Sequence, residues 1–262
     1  MFRFYYLFTI IFFFTLCFCG KNNSLQIQND KDSLGILENA RLLTFIDDDG
    51  CNSFYSKFVP IILGNNISIS TAIETGRVGT EDYMDWNSIK ECRKVGAEIL
   101  NHSKYHIYSK VDSEKRSKDD VRQEMLESIK DMTEHGYHET ADIWVYPGAS
   151  AGATLSVASE IMRCGINSSG SEVNTCPLKN RYNLRRYPIC SHETHTFEDM
   201  KCFVDELIHN PGWEIWMLHS HNGFVTEEFI SDFIKIIEYC RQNNVQIVSC
   251  QQALDFYGIN RK

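Results

Sequence analysis

Arg41-Leu42-Leu43-Thr44-Phe45-Ile46-Asp47-Asp48-Asp49-Gly50 packs a strand and its polar end into ten residues. RLLTFI (41–46) is a short apolar run of the kind that is covered on both faces in a parallel sheet. Three carboxylates and a glycine follow without a break, so the chain turns where the acids begin. In parallel α/β folds the strand ends meet on one face, and polar chemistry from distant parts of the sequence collects there.

Toward the C-terminus, strand-like runs alternate with helical patterns to the end of the chain. After an apolar-faced segment with Phe54, Phe58, Val59 and Ile62, strands are expected at 67–73, 97–100, 141–146, near 166–169, 213–218 and 245–249. Helices are expected at 85–95, 118–135, 153–164, 198–209 and from Thr226 through Cys240. Val121, Met125, Ile129 and Met132 fall on one stripe, and Gly136 supplies the stop. Thr226 with Glu227 and Glu228 gives a side-chain cap and acids facing the positive end of the helix dipole. Residues 170–196 have no readable pattern. About seven βα units result, an α/β chain able to close into a single barrel domain over 38–258.

Toward the N-terminus, MFRFYYLFTIIFFFTLCFC (1–19) has Arg3 as its only charge and reads as an export signal. Cys19, before Gly20, is a candidate acylated cysteine of a bacterial lipoprotein signal and hence a membrane attachment; ordinary cleavage and an uncleaved anchor are the alternatives. Residues 20–37 are polar and read as a tether, so an extracytoplasmic location is expected. Lys and Arg number 26 against 35 Asp and Glu, a net charge of -9, which argues against a nucleic-acid partner. Eight cysteines follow the signal without a CxxC pair, so disulfides and buried thiols both remain open.

NHSKYH (101–106) sets His102 and His106 four residues apart after the strand at 97–100, close enough for both rings to reach one ion. A carboxylate would complete an open three-ligand site for Zn²⁺ or another divalent transition metal, the equipment of hydrolytic chemistry. His219 follows WEIWML (213–218), placing a third polar cluster at a strand end.

Together these residues resemble the polysaccharide deacetylases of carbohydrate esterase family 4, the NodB-homology domain, over roughly 38–258. The family's TFDDG is represented by TFIDDDG (44–50), H-S/T-x-x-H by HSKYH (102–106) and L-x-H by Met217-Leu218-His219. By position, the resemblance makes Asp48 the general base, Asp49, His102 and His106 the metal ligands, and His219 the general acid. Asp47 is left over as the alternative base, and His221 is the alternative to His219. The third motif, R-x-x-P-aromatic, departs: Trp144-Val145-Tyr146-Pro147-Gly148 keeps Pro147 but has Trp144 at the arginine place and Gly148 at the aromatic one. The Gly148 amide still suits the implied oxyanion role. Arg185 or Arg186 are candidates for the missing positive charge, although solvated surface is the simpler reading of each.

The resemblance implies a distorted (β/α)7 barrel of the NodB-homology type, in agreement with the independent count of units. It also implies a metal-dependent hydrolase that removes acetyl groups from N-acetylated sugars of an extracytoplasmic polysaccharide. An O-acetyl glycan esterase and an inactive glycan-binding protein on the same fold are the alternatives, the second supported by the missing arginine. Tyr55, Tyr83, Trp86, Tyr105 and Trp144 are candidates either for stacking on sugar rings or for the core.

Overall fold

RLLTFID (41–47) forms strand β1 (Arg41–Asp47), buried from Leu42 onward. The computed structural model describes residues 39–106, 117–148, 152–168, 170, 172–190 and 193–261, all within one unit, Ile36–Lys262. The export signal, Cys19 and the 20–37 tether lie outside the described residues. Among the described residues, no helix is long and apolar enough to cross a membrane.

Around β1 stand β2 (Ser70–Ile73), β3 (Glu98–Asn101), β4 (Ile143–Val145), β5 (Cys164–Asn167), β6 (Leu184–Arg185), β7 (Tyr187–Cys190), β8 (Gly212–Leu218) and β9 (Gln246–Ile247). Their order is β6-β5-β4-β3-β2-β1-β8-β7, and β9 pairs with β1 alongside this path. Every pairing is parallel. β6 and β7 are separated only by Arg186: one extended run pairs with β5 through Leu184 and Arg185, then with β8 through Tyr187, Pro188 and Cys190. This handover nearly closes an eight-stranded parallel barrel ringed by helices, a distorted (β/α)7 fold. The stretch that had no readable pattern is therefore the one that brings the two ends of the sheet together.

The helices are α1 (Asn52–Lys57), α2 (Val59–Asn65), α3 (Trp86–Lys94), α4 (Lys118–Glu134), α5 (Ala153–Ile161), α6 (Phe197–His209), α7 (Glu227–Gln242) and α8 (Cys250–Phe256). Ser117, Thr196 and Ser249 each form reciprocal capping boxes that satisfy amides at the first turn of α4, α6 and α8. One expectation needs correction: the helix written as 153–164 stops at Ile161, and Cys164 and Gly165 already belong to β5. A Cβ on Gly165 would lie 2.6 Å from the Tyr146 ring, so this glycine permits strand packing and is no helix stop.

Alternate residues of β1 serve opposite sides. Leu42 and Ile46 join the cluster containing Leu100, Val145, Ile166, Ile215 and Leu254. Leu43 and Phe45 join the larger one with Phe58, Phe229, Phe233 and Ile237, where Phe45 and Phe233 sit 4.7 Å apart. Six cysteines (51, 92, 164, 190, 240 and 250) are buried free thiols. Burial pushes the Cys92 and Cys164 thiols up to about 12, so they behave as apolar core residues.

Candidate active site

The period of two that sorts the core also separates the three acids. Asp47 ends the uninterrupted seven-residue register between β1 and β8, opposite Leu218, as a regular strand residue without a bulge. Its carboxylate accepts from the Ser220 amide (2.7 Å) and the Ser220 hydroxyl (2.8 Å), and burial raises its pKa well above the ordinary range. Asp48, on the opposite side, receives both arms of Arg186 at 2.7 Å each. Burial opposes the charge on Asp48, but Arg186, helped by His102 and His219, holds its pKa below the ordinary value.

Asp49 leaves the strand with φ 79° and Gly50 follows with φ 74°. A Cβ at Gly50 would meet Ile73 Cγ2 at 2.8 Å, so both conformation and space require glycine there. Left-handed backbone recurs at Ser103 (φ 72°) and His106 (φ 53°), so three of the described non-glycine residues in this uncommon conformation surround one point. Glu124 on α4 holds the second loop in that shape. Its Oε1 accepts from Ser103 Oγ and from the amides of Lys104 and Tyr105, while the His106 amide donates to Ser103 Oγ.

These turns bring Asp49, His102 and His106 together, with one donor atom of each within 4.8 Å of the others. His102 Nε2 lies 3.3 Å and His106 Nε2 3.5 Å from Asp49 Oδ1. His102 Nδ1 lies 2.8 Å from the Val145 carbonyl, which fixes the proton on Nδ1 and turns the lone pair of Nε2 toward the carboxylate. Asp49 Oδ1 and His102 Nε2 are nonetheless buried without a hydrogen bond of proper geometry. Two orphaned donors with a second imidazole beside them are what a divalent ion would satisfy, and a His₂Asp set suits zinc or a similar metal. Burial disfavours the charge on Asp49, yet the surrounding imidazoles hold its pKa far below the ordinary value. Burial also opposes charge on His102, but Asp48 and Asp49 raise its pKa; at His106 burial wins and lowers it.

His219 closes the far side, with Nε2 4.0 Å from Asp48 Oδ2. Its Nδ1 is buried without a hydrogen-bond partner among the described residues, and burial lowers its pKa despite the two nearby acids. His221 faces the other acid, Nε2 lying 3.5 Å from Asp49 Oδ2. Beyond it opens a cavity of about 420 Å³ lined by Ser53, Arg77, Asp82 and Tyr83. Pro147 is buried and Gly148 exposed just past β4, whose Val145 carbonyl touches His102.

The arginine question has a definite geometric answer. Trp144, at the motif's arginine place, is fully buried against Val121, Met125 and Val157, facing the outer helices. Arg186 is 1% exposed and grips Asp48, which corrects the reading of it as solvated surface. Sequence reasoning also missed Ser220 and Glu124, which carry no motif and act only through distant partners. Of the aromatics, Trp86 stacks on His135 at 3.8 Å, whereas Tyr55 and Tyr105 stay exposed.

A nearly closed parallel barrel with Asp, His and His at its strand ends defines a class of hydrolase-like α/β barrels. A family model described as polysaccharide deacetylase matches residues 38–167, and the chain belongs to that NodB-homology family of deacetylases. Solved structures agree on the fold. The Xyl-CE4 domain of a multidomain xylanase from the hindgut metagenome of Trinervitermes trinervoides superposes with a TM-score of 0.58 at 15% identity, covering 85% of this chain and 93% of that one. A family 4 acetyl xylan esterase from Clostridium thermocellum, in complex with a cobalt ion, gives 0.57 at 14%, covering 84% and 93%. BA3943, a CE4 family pseudoenzyme from Bacillus anthracis, gives 0.54 at 13%, covering 84% and 67%. No curated protein matches the chain.

Proposed function

We propose that this protein is a metal-dependent deacetylase acting on N-acetylated sugars of an extracytoplasmic polysaccharide. The observation that carries the reading is the pair of buried, unbonded donors on Asp49 and His102, beside His106 and the arginine-held Asp48. Asp49, His102 and His106 would hold a divalent ion, with zinc expected. When bound, such an ion supplies Lewis-acid polarisation of the acetyl carbonyl and acidifies water.

The chain's own groups do the rest. Asp48, kept ionised and oriented by Arg186, takes a proton from the attacking water. The Gly148 amide donates to the oxyanion that develops on the carbonyl oxygen. His219, once protonated, delivers a proton to the departing amine, giving acetate and a free amino sugar. The export signal and tether expected in residues 1–37 support the extracytoplasmic site, and acylation of Cys19 would fix the enzyme to a membrane surface.

One observation favours O-acetyl ester hydrolysis as a second reading. Among the described residues no carboxylate accepts from the Nδ1 of His219, so burial outweighs the more distant Asp48 and Asp49 and disfavours the imidazolium. An amine must be protonated before it leaves a tetrahedral intermediate, whereas an alkoxide leaves far more readily. The deciding experiment loads the purified protein with Zn²⁺ and measures acetate from N-acetylated and O-acetylated oligosaccharides, with a chelator control. Chelator-sensitive release from the N-acetyl set supports the first reading, and release from the O-acetyl set alone supports the second. One bound zinc with no release from either set refutes both and points to a glycan-binding protein.

A further inference from the structure

Ladder pairing between β1 and β8 ends at Asp47 and Leu218, where the Asp48 amide donates to the Leu218 carbonyl (3.0 Å), and on the other edge of β8 the His219 amide donates to the Cys190 carbonyl of β7 (3.0 Å). Past that point the chain enters a 3₁₀ turn, Ser220–Asn222, which ends in left-handed Gly223 (φ 83°). The sheet offers no partner for the Ser220 amide, yet Ser220 is fully buried. The side chain of Asp47 fills that gap, accepting from both the amide and the hydroxyl.

Helix α1 fastens the same residue from its other side. Ser53 Oγ lies 2.7 Å from Ser220 Oγ, and Lys57 Nζ donates to the Ser220 carbonyl at 2.8 Å. Every polar group of Ser220 is therefore held, by β1 and α1 together. On either side of this anchored residue stand His219, facing Asp48, and His221, facing Asp49.

We propose that Asp47 is a positioning residue for the proton-donating turn: through Ser220 it fixes the imidazoles of His219 and His221 against Asp48 and Asp49. It touches none of the reacting groups, so its effect on proton delivery is indirect, through the turn that carries His219. The inference rests on the reading of His219 as proton donor. A shift of the donor by a fraction of an ångström is enough to lower turnover, because proton transfer depends on short, aligned contacts.

The test compares Asp47→Leu, which removes both acceptors at similar size, with Asp47→Asn, which keeps an oxygen for the Ser220 amide and turns an NH₂ toward its hydroxyl. Acetate release is read on an N-acetylglucosamine oligomer and on para-nitrophenyl acetate, whose leaving group needs no proton. Asp47→Leu should lower kcat on the oligomer about tenfold or more, while Asp47→Asn stays within about threefold of the parent. KM, zinc stoichiometry and aryl-acetate turnover should be unchanged in both. Equal loss on the two substrates, unchanged kcat in Asp47→Leu, or no rescue by Asp47→Asn overturns the proposal. If Asp47→Leu does not fold, Ser220→Ala should show a smaller loss with the same substrate selectivity, and a loss shared by both substrates refutes it. Imidazole NMR of the zinc-loaded protein separates this from failure of the deacetylase reading. In an inactive parent, Asp47→Leu must still move the His219 resonances while leaving those of His102 and His106 in place; unmoved His219 signals sink the positioning role.

Discussion

Arg186→Met should destabilise the protein because it leaves Asp48 charged, buried and alone. The side chain is nearly isosteric along its stem, so packing is largely kept and the lost quantity is the bidentate pair at 2.7 Å. Both partners are essentially excluded from solvent, at 1% and 3% side-chain exposure, so solvent does not screen their interaction. Two charge-assisted hydrogen bonds at about 1.5–3 kcal/mol each, and the general cost of breaking a buried pair, about 3–5 kcal/mol, overlap at about 3–5 kcal/mol. At about 2–4 °C per kcal/mol for a domain of this size, Tm should fall by roughly 6–20 °C. The assay is thermal and urea unfolding of parent, Arg186→Met, Asp48→Asn and the double variant. Neutralising Asp48 in the double variant removes the unpaired charge, so it should recover at least about 2 kcal/mol relative to Arg186→Met. A single-variant cost below about 1 kcal/mol, or a double variant no better than Arg186→Met, would refute the claim that the pair is a buried, coupled unit.

Glu214, fully buried on β8 with Trp216 Nε1 donating to it, has its pKa pushed up to about 8 by burial. Because the folded value lies above the unfolded one, the native state binds the extra proton: stability is full below about 4.5 and is lost as pH rises through about 8. Glu214→Gln should match the parent at pH 4 and exceed it by about 3–5 kcal/mol at pH 9, and identical pH profiles of unfolding would rule out the assignment. Asp49→Ala should abolish stoichiometric zinc binding measured by metal analysis after dialysis; an unchanged stoichiometry removes Asp49 from the ligand set. Phe233→Ala, which empties a site touching Phe45, Phe58 and Phe229, should cost about 3–5 kcal/mol in urea unfolding with zinc binding intact. A cost under about 1 kcal/mol would mean that this aromatic cluster can collapse around the gap.

The barrel was readable where elements were long or strongly patterned. β1, α4 and α7 fall where apolar spacing put them, because a strand covered on both faces and a one-sided helix leave different periods in the sequence. β6 and β7 escaped notice because Arg185, Arg186 and Pro188 break up the apolar residues between Leu184 and Cys190, so no strand-like run shows there. With them went the seam of the barrel and Arg186, whose burial depends on a carboxylate 138 positions earlier in the chain. The helix expected to run through Cys164 and stop at Gly165 fails for a related reason: glycine reads as a stop, and here it serves close packing of β5 against Tyr146.

Residue types and short spacings alone carried the α/β class, the three acids at a strand end, the HSKYH pair and the late histidine, since each is a local consequence of strand and turn chemistry. Folding settled how the acids divide among partners. The alternation of β1 sends Asp47 to Ser220 and Asp48 to Arg186, and the left-handed turn at Asp49 delivers its carboxylate to His102 and His106. Adjacent aspartates are chemically identical in a sequence; what each can do depends on burial and on charges brought close from far along the chain, and those exist only once the barrel has closed.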